Sequence, residues 1–382
     1  MEKLRTQENN FFYLAFVILF YIIIFPTNIS SKIANREKKL PYPKSQTIHG
    51  IKLDWASHKR MAERSDNWPI TWANSNNQYT TWGDGGGFDG TNTENRVSLG
   101  VARIEGTAKD YSGKNVWGGD IKGSTDKITG KSYGIVAIKN TLYMWVSPGS
   151  DGDGFKEARL FTSTDSGETW EKVEWAFTRD EGLLNPTFLQ FGRGHADARD
   201  LFVYVYVVII KDSSKLEVQR PGEIALLRVP EHKILFRKAY EFFSGTDNTG
   251  NPVWTPEILK LVPVFQDVNG VGWNCAVSFN KGLKRYILTT EHNTSFKGNL
   301  GIFDAPEPWG PWTTVSYLES FGVPVIEGTT FYWNFSNKWL SDRGRRFVLL
   351  FSGIKENDSW NTVEGEFILT IKSKDKTEKV LK

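Results

Sequence analysis

Two aspartates, Asp66 in SDNWP and Asp84 in WGDGGGF, are the residues of this sequence best placed to do chemistry together. They flank two apolar segments, residues 69–74 and 79–84, that a turn near Asn76 joins into a predicted hairpin. Paired antiparallel strands lie about 5 Å apart, so the two carboxylates should be near neighbours at one end of the hairpin. Such a pair can act as general acid and as nucleophile or base in glycoside hydrolysis. The alternative is that both are ordinary turn residues beside Asn and Gly.

Two glutamates occupy equivalent positions in later hairpins. Glu291 (TTEHN) ends a second predicted strand, and Glu327 (VIEGTT) precedes a first one. Each could add a catalytic carboxyl to the same rim, although most residues of this kind are solvated loop residues. Tryptophan rings near strand ends could stack on sugars, whereas the alternative for them is a place in the core. The candidates for substrate binding are Asn67, Trp68, Trp82, Asn185, Asn274 and Asn334.

A supersecondary unit that would position these residues recurs five times after residue 65. Its first strand begins near residues 69, 132, 186, 274 and 329, and each time a turn and a second apolar strand follow. The spacing averages about 60 residues, the size of a four-stranded blade. Hairpins without helical crossovers exclude a parallel α/β fold, and the even spacing disfavours a double-sheet sandwich. The prediction is an all-β fold, a five-bladed β-propeller preceded by one N-terminal transmembrane or signal-anchor helix.

The N-terminal segment carries a separate signal. Residues 11–25 are apolar and uncharged, and Lys3 and Arg5 precede them, which is typical of a signal peptide or signal anchor. We predict a signal peptide or transmembrane anchor over 1–29. A linker over 30–48, the propeller over 49–375 and a charged tail over 376–382 follow, with residues 366–372 (EFILTIK) helping to close the last blade against blade one. The domain is expected outside the cytoplasm, anchored to the membrane, or secreted if the segment is cleaved.

Composition excludes several function classes. The formal net charge is +3 and the two signs are mixed along the chain, so nucleic acid is not an expected partner. His195 and Asp197 suggest a metal pair without an evident third ligand, and GSDGDGF departs from a calcium loop. No metal and no cofactor are therefore predicted. Cys275, the one cysteine, lies in an apolar strand pattern and is interpreted as a buried structural thiol.

One further motif has a structural interpretation. Residues 163–170, STDSGETW, match the Asp-box pattern S-x-D-x-G-x-T-W, as found in sialidase-type propellers. In it Asp165 can bond the turn amides, Gly167 permits the turn, and Trp170 packs between layers. We assign this motif no catalytic role. A sialidase is also disfavoured because its substrate carboxylate requires a cluster of arginines, and no such cluster is evident at the rim.

Long segments of the chain resemble a known family. SDNWPITW, TTWGDGGGF, LFVYVYV, DAPEPWGPWTTV and NKWLSDRGRRFVLLFSG, within residues 60–370, resemble the domain-of-unknown-function 4185 family. The resemblance implies similarity to five-bladed propeller glycoside hydrolases. One branch, the endo-D-arabinanases of glycoside hydrolase family 183, is implied to use paired aspartates near the N-terminal blade, and Asp66 and Asp84 match that motif by position and spacing.

Two functions remain open from the sequence. The first is a glycoside hydrolase that acts on a polysaccharide or glycan, for example a furanoside such as arabinan. The second is a non-catalytic carbohydrate-binding or scaffolding propeller. A carbohydrate is the expected ligand in both cases.

Overall fold

The computed structural model describes residues 40–90, 96–118, 128–149, 155–212, 217–326, 329–341, 343–353 and 358–370. The predicted anchor over 1–29, Glu327 and the charged tail lie outside these ranges. Within them the regular structure consists of β-strands, joined in places by single turns of 3-10 helix. None of the helices in these ranges has the length and apolar character needed to cross a membrane.

The strands form five blades in chain order. After β1 (Ile48–Met61), blade one consists of β2 (Ile70–Trp72), β3 (Gln78–Gly85), β4 (Val97–Gly106) and β5 (Tyr111–Trp117). Blade two consists of β6 (Gly130–Ile138), β7 (Thr141–Pro148) and β8 (Glu157–Ser163), with β9 (Glu171–Lys172) and β10 (Phe177–Thr178) both paired to β8. Blade three consists of β11 (Pro186–Gln190), β12 (Phe202–Val208), β13 (Gly222–Pro230), β14 (Glu241–Thr246), β15 (Pro252–Thr255) and β16 (Phe265–Asp267).

Blades four and five complete the ring. Blade four consists of β17 (Cys275–Asn280), β18 (Arg285–Glu291), β19 (Leu300–Ala305) and β20 (Thr313–Tyr317). Blade five consists of β21 (Thr330–Phe335), β22 (Arg346–Gly353), β23 (Trp360–Leu369) and β1. The first strands of successive blades contact one another, and β11 and β17 even pair in parallel over two residues. This arrangement is a five-bladed β-propeller, as the spacing of the five units predicts.

Burial explains why inner and outer strands differ in sequence. The inner strands β6 and β21 are buried at every position. Their sequences therefore show no alternation of apolar and polar residues. The outermost strand β1 alternates between buried and exposed residues along its first half, because one of its faces meets solvent. Cys275 is buried in β17 and burial raises the pKa of its thiol, as expected for a structural residue.

The ring closes differently from the sequence prediction. Residues 366–369 do not meet blade one but pair with β1, with Phe367 opposite Ile51 and Glu366 opposite Lys52. An N-terminal strand therefore forms the outer edge of a sheet whose other strands come from the C-terminal end. Contacts of the propeller begin still earlier, since the Tyr42 hydroxyl accepts a hydrogen bond of 2.8 Å from the Gln266 amide.

Apolar side chains fill the spaces between adjacent blades. Between blades one and five, for example, Trp68 packs edge-on against Trp360 at 5.5 Å between ring centroids, in a cluster with Trp82 and Leu350. Polar side chains of the first and second strands of the blades add cross-links to this packing. They bond to backbone groups of neighbouring blades, as in Ala137 N to Thr71 Oγ1 (2.9 Å), Gln190 Nε2 to Ile135 O (2.8 Å) and Thr289 Oγ1 to Trp333 O (2.5 Å).

Removing β1 tests the closure directly. We expect a chain that begins at Ala62 to aggregate or to melt at least about 10 °C below the parent, because the edge of β23 and the apolar surface under Ile48 become exposed. The matched control begins at Leu40 and keeps β1. Melting is followed by circular dichroism, and equal melting temperatures for the two truncated chains would show that β1 is dispensable.

Candidate active site

The hairpin of blade one places Asp66 beside the end of β3. The backbone of Asp66 pairs with Gly83 through two hydrogen bonds, of 3.0 Å from the Asp66 amide and 2.7 Å from the Gly83 amide. Asp84 follows Gly83 directly, so both aspartates lie at the same end of this blade. The Asp66 side chain is half-buried, and its Oδ1 accepts a hydrogen bond of 2.7 Å from Asn67 Nδ2.

Asp84 is held by a buried lysine. Its backbone has a left-handed φ of 56°, which aspartate tolerates better than most residues. Its Oδ1 lies 2.5 Å from Lys131 Nζ and 3.6 Å from an Arg96 guanidinium nitrogen. The Lys131 side chain, at the start of the inner strand of blade two, is only 5% exposed, compared with 33% for Asp84. A lysine buried to this degree requires a partner of opposite charge.

The absence of a side chain at Gly83 makes space for Asp66 and Lys131. A Cβ at this position would lie 2.9 Å from Asp66 Oδ1 and 2.9 Å from Lys131 Cδ. The stem of Lys131 therefore runs close to the Asp66 carboxylate on its way to Asp84. We call Asp66, Asp84 and Lys131 the lysine–aspartate cluster. Sequence reasoning missed Lys131, although a lysine inside the otherwise small and apolar strand GKSYGIVAI was a usable signal.

Glu291 provides a carboxyl group of a different kind. It ends β18, is 2% exposed, and accepts a long backbone hydrogen bond of 3.4 Å from Lys297. Burial raises its pKa to about 8, against smaller lowering effects from the amides of Lys297 and Phe296. Gly272 packs so closely that a Cβ there would lie 2.9 Å from Glu291 Cβ. A pKa of about 8 favours the protonated carboxyl of Glu291 at neutral pH.

Aromatic residues link the two carboxyl regions. Tyr133, two residues after Lys131, packs against Trp273 with ring centroids 5.7 Å apart, and Trp273 packs against Phe296 at 5.4 Å. Tyr332 reaches from blade five to donate a hydrogen bond of 2.7 Å to the Tyr133 carbonyl. The starts of inner strands from three blades thus meet at the end of the propeller that carries the lysine–aspartate cluster and Glu291.

Trp68 and Trp82, which the sequence made candidates for sugar stacking, are instead core residues. Both have 0% exposure, because they fill the space between blades one and five. The Trp82 indole nitrogen donates 2.9 Å to the carbonyl of Gly85. Neither ring is accessible to a ligand, so both tryptophans have the core position that the sequence left as the alternative.

The four candidate asparagines have different environments. Asn185 cross-links blades by donating 3.1 Å to the carbonyl of Trp273, and Asn334 is buried in β21. Asn67 and Asn274 are 2% and 3% exposed, and Asn67 Oδ1 and Asn274 Nδ2 have no hydrogen-bond partner among the described residues. Buried polar atoms of this kind usually require water or a ligand.

Of the two residues considered for a metal, Asp197 is paired with a lysine and His195 is buried against an aromatic ring. Asp197 Oδ1 lies 2.5 Å from Lys281 Nζ, and the buried His195 ring packs edge-on against Phe191 at 5.2 Å. In the part of the chain that the structure describes, no three His, Cys, Asp or Glu side chains are grouped so as to hold a metal ion.

Several solved structures resemble this chain at low identity. A GH43_1 enzyme from Xanthomonas citri is 12% identical, with 82% of this chain and 90% of that chain covered and a TM-score of 0.47. A GH43 β-xylosidase/α-arabinofuranosidase from a compost microbial metagenome is 12% identical, with 85% and 96% covered and a TM-score of 0.48. An α-L-arabinofuranosidase from Podospora anserina is 10% identical, with 85% and 94% covered and a TM-score of 0.44. At such identity, the activity of those enzymes does not transfer to this chain.

Sequence comparison identifies the family of the chain but no relative of known activity. No curated protein matches the chain significantly. Residues 64–346 match the family described as "Domain of unknown function (DUF4185)". This range contains Asp66, Asp84, Lys131 and Glu291. Because the match spans most of the sequence, the chain belongs to the DUF4185 family.

Proposed function

We propose that this propeller is a glycoside hydrolase that acts on a polysaccharide or glycan. The observation that carries the proposal is the contrast between two carboxyl environments at one end of the ring. Asp84 pairs with the buried ammonium of Lys131, whose stem passes near Asp66, whereas burial raises the pKa of Glu291 to about 8. Titratable groups whose surroundings push their protonation states apart are the usual basis of acid and base roles in one site.

The roles follow from the two environments. Glu291 carries the proton that the leaving oxygen of a glycosidic bond needs, so it is the proposed general acid. Asp66 accepts a hydrogen bond from Asn67 and lies beside the stem of Lys131, so it is the proposed nucleophile or base. Asp84 forms an ion pair with Lys131. We assign Asp84 a supporting role, in which it fixes the position of the lysine and thereby the charge near Asp66.

The class of substrate has weaker support than the type of reaction. The resemblance of the Asp66 and Asp84 segments to the arabinan-cleaving branch makes a furanoside such as arabinan the first substrate to test. Two unpartnered amide atoms support a ligand with many hydroxyl groups, since Asn67 Oδ1 can accept from a hydroxyl and Asn274 Nδ2 can donate to one. The expected partner of the propeller remains a carbohydrate. Membrane anchoring and a location outside the cytoplasm are also proposals, and residues 11–25 are the sequence feature that supports them.

One observation favours the alternative, a non-catalytic carbohydrate-binding propeller. Asp84 is engaged by two cations, and Glu291 lies under the backbone of residues 296 and 297. A site with these features could hold a glycan without cleaving it. Turnover and binding must therefore be measured separately.

Substitution of the two proposed catalytic carboxyls tests the assignment. We expect Asp66→Asn and Glu291→Gln each to lower turnover by about a hundredfold or more, since each removes a proton-transfer or nucleophilic group. Turnover is measured as reducing ends released from arabinan. Asp54→Asn, on the outermost strand of blade five, is the matched control and should keep parental activity. Parental turnover in Glu291→Gln would remove Glu291 from the mechanism.

The raised pKa of Glu291 has a consequence for stability that does not depend on substrate. Its folded-state pKa of about 8 lies above the ordinary value of 4.5, so ionisation of the unfolded chain costs stability as pH rises from about 4.5 towards 8. Glu291→Gln should therefore melt at least about 3 °C above the parent at pH 8 and equally with it at pH 4. A variant that melts with or below the parent at pH 8 would contradict the buried, protonated state. Activity should likewise fall above about pH 8, where the acid loses its proton.

Asp84 should behave as a supporting residue. Asp84→Asn leaves the buried ammonium of Lys131 without its closest negative charge, and we expect a loss of about 1–3 kcal/mol in the free energy of unfolding. The double substitution Asp84→Asn with Lys131→Met removes the unpaired charge and should recover much of that loss. Chemical denaturation of the two variants measures the difference. If the double variant is less stable than Asp84→Asn, the lysine is not held by charge pairing.

A further inference from the structure

A groove is lined by Trp117 of blade one and by several residues of blade two, among them Thr129, which is two residues before Lys131. Its volume is about 730 Å³, within the roughly 300–1,000 Å³ of sites that bind small molecules. Apolar and charged side chains line it, and among the apolar ones Ile128 and Trp170 are half-exposed whereas Trp117 is buried. The residues that matter to the argument are Trp117, Ile128, Glu157, Arg159, Trp170 and Glu174.

The Asp-box turn presents one of these walls. Asp165 Oδ1 accepts backbone hydrogen bonds of 3.1 and 3.0 Å from Glu168 and Thr169, which fix the turn. The Trp170 indole nitrogen then donates 3.0 Å to the carbonyl of Gly167. The ring is therefore held in one orientation with its polar edge satisfied, and it remains half-exposed in the groove. The Asp-box motif thus orients an aromatic ring in the groove in addition to forming a turn.

The charges in the groove balance, and Arg159 is held by several hydrogen bonds. Arg159 makes two hydrogen bonds to Glu157, of 2.8 and 3.0 Å, and donates to the carbonyls of Val173 and Glu174. Lys172 and Glu174 complete a set of two basic and two acidic side chains. A site with no net charge, an oriented aromatic ring and fixed polar groups suits a neutral, hydroxyl-rich ligand better than an ion.

A second groove shows the contrast. It has a volume of about 630 Å³ between blades one and five and is lined by Lys109, Lys338 and Arg346 against one carboxylate, Glu364. None of its three cations forms an ion pair with another of the described residues. That excess of positive charge is unsuited to a neutral ligand, so the balanced groove of blade two is the better candidate.

The balanced groove is continuous with the candidate active site along the chain. Ile128 and Thr129 line it, and Lys131, which binds Asp84, follows two residues later. Gly130 between them is fixed to blade one by hydrogen bonds of 2.9 and 3.0 Å with the Ser98 hydroxyl. A ligand that occupied both places would cross this short segment.

We infer that the groove is a binding site for a neutral glycan chain whose other end reaches the lysine–aspartate cluster. Trp170 stacks on a sugar ring, and the fixed polar groups of Glu157 and Arg159 meet its hydroxyls. The inference deepens the proposed function, on which it rests for the class of ligand, because it makes the substrate a chain rather than a free monosaccharide.

Affinity electrophoresis of the intact protein in gels that contain arabinan or xylan tests this site by binding alone. We expect the parent to be retarded, and Trp170→Ala to raise the apparent dissociation constant about tenfold or more, the loss of one aromatic contact. Trp72→Ala is the matched control, since Trp72 is also half-exposed and its indole nitrogen donates a hydrogen bond of 3.1 Å to Asn76 Oδ1. Trp72 lies at the turn end of the blade-one hairpin, the end opposite to Asp66 and Asp84. Trp72→Ala should be retarded like the parent.

A second variant guards against a folding defect in Trp170→Ala. Thr129→Arg adds bulk at an exposed groove position without removing a core contact, and it should weaken retardation while the melting temperature stays parental. Asp66→Asn should lose cleavage but keep retardation, which separates failure of the groove from failure of the proposed hydrolase. A parent that neither gel retards, or parental retardation of both Trp170→Ala and Thr129→Arg, overturns the inference.

Discussion

The pairing of β1 with β23 is the contact on which the position of the candidate site depends. β1 ends at Met61, and only four residues separate it from Asp66, so the strand that closes the ring also delivers the first carboxylate. The intervening segment is tied to blade five, where Arg64 N donates 2.5 Å to the carbonyl of Asp358 and Asn67 N donates 3.0 Å to Ser352 Oγ. Without the pairing of β1 and β23, the edge of blade five would be free and these two hydrogen bonds would not hold the segment in place. Closure of the ring and placement of Asp66 are therefore one structural event.

Within that frame, electrostatics separate the carboxyl groups. The ammonium of Lys131 is buried and cannot remain charged without nearby negative groups, which Asp84 supplies at 2.5 Å. Within the described part of the chain, Glu291 accepts hydrogen bonds from backbone amides and forms no ion pair, and burial raises its pKa to about 8. The same ring thus contains a charged cluster contributed by blades one and two and a neutral acid contributed by blade four. Such a division of charge is what general acid catalysis of glycosidic cleavage requires.

Much of the fold could be predicted from the sequence, because the information is local. The apolar strands and tight turns of each unit recur at regular spacing, and each predicted first strand corresponds to an inner strand, from β2 to β21. The role of β1 was not predictable in this way, since its partner β23 lies some 300 residues away and alternation alone does not identify a partner. Residues 40–48 pack on the propeller for the same nonlocal reason, through Tyr42 and Ser45.

The site was predictable in position but not in composition. Strand pairing places Asp66 and Asp84 at one end of blade one, because their spacing around the turn fixes the register. Lys131 belongs to another blade, and only the three-dimensional packing against Gly83 reveals its contact with this pair. Trp68 and Trp82 could not be assigned from their types, since a tryptophan at a strand end fits both a core and a sugar platform. Glu327 lies outside the described residues, and its role stays a prediction.

The account depends most on a protonated Glu291 at the end of the propeller that carries the lysine–aspartate cluster, and the protonation state of Glu291 can be observed directly. Protein labelled with ¹³C at the glutamate side-chain carboxyl would be titrated by NMR, with the Glu291 signal assigned by its absence from Glu291→Gln. The account predicts a carboxyl that is neutral at pH 7 and ionises near pH 8. A Glu291 signal that titrates near the ordinary value of 4.5 would contradict the proposed general acid and with it the assignment of the site.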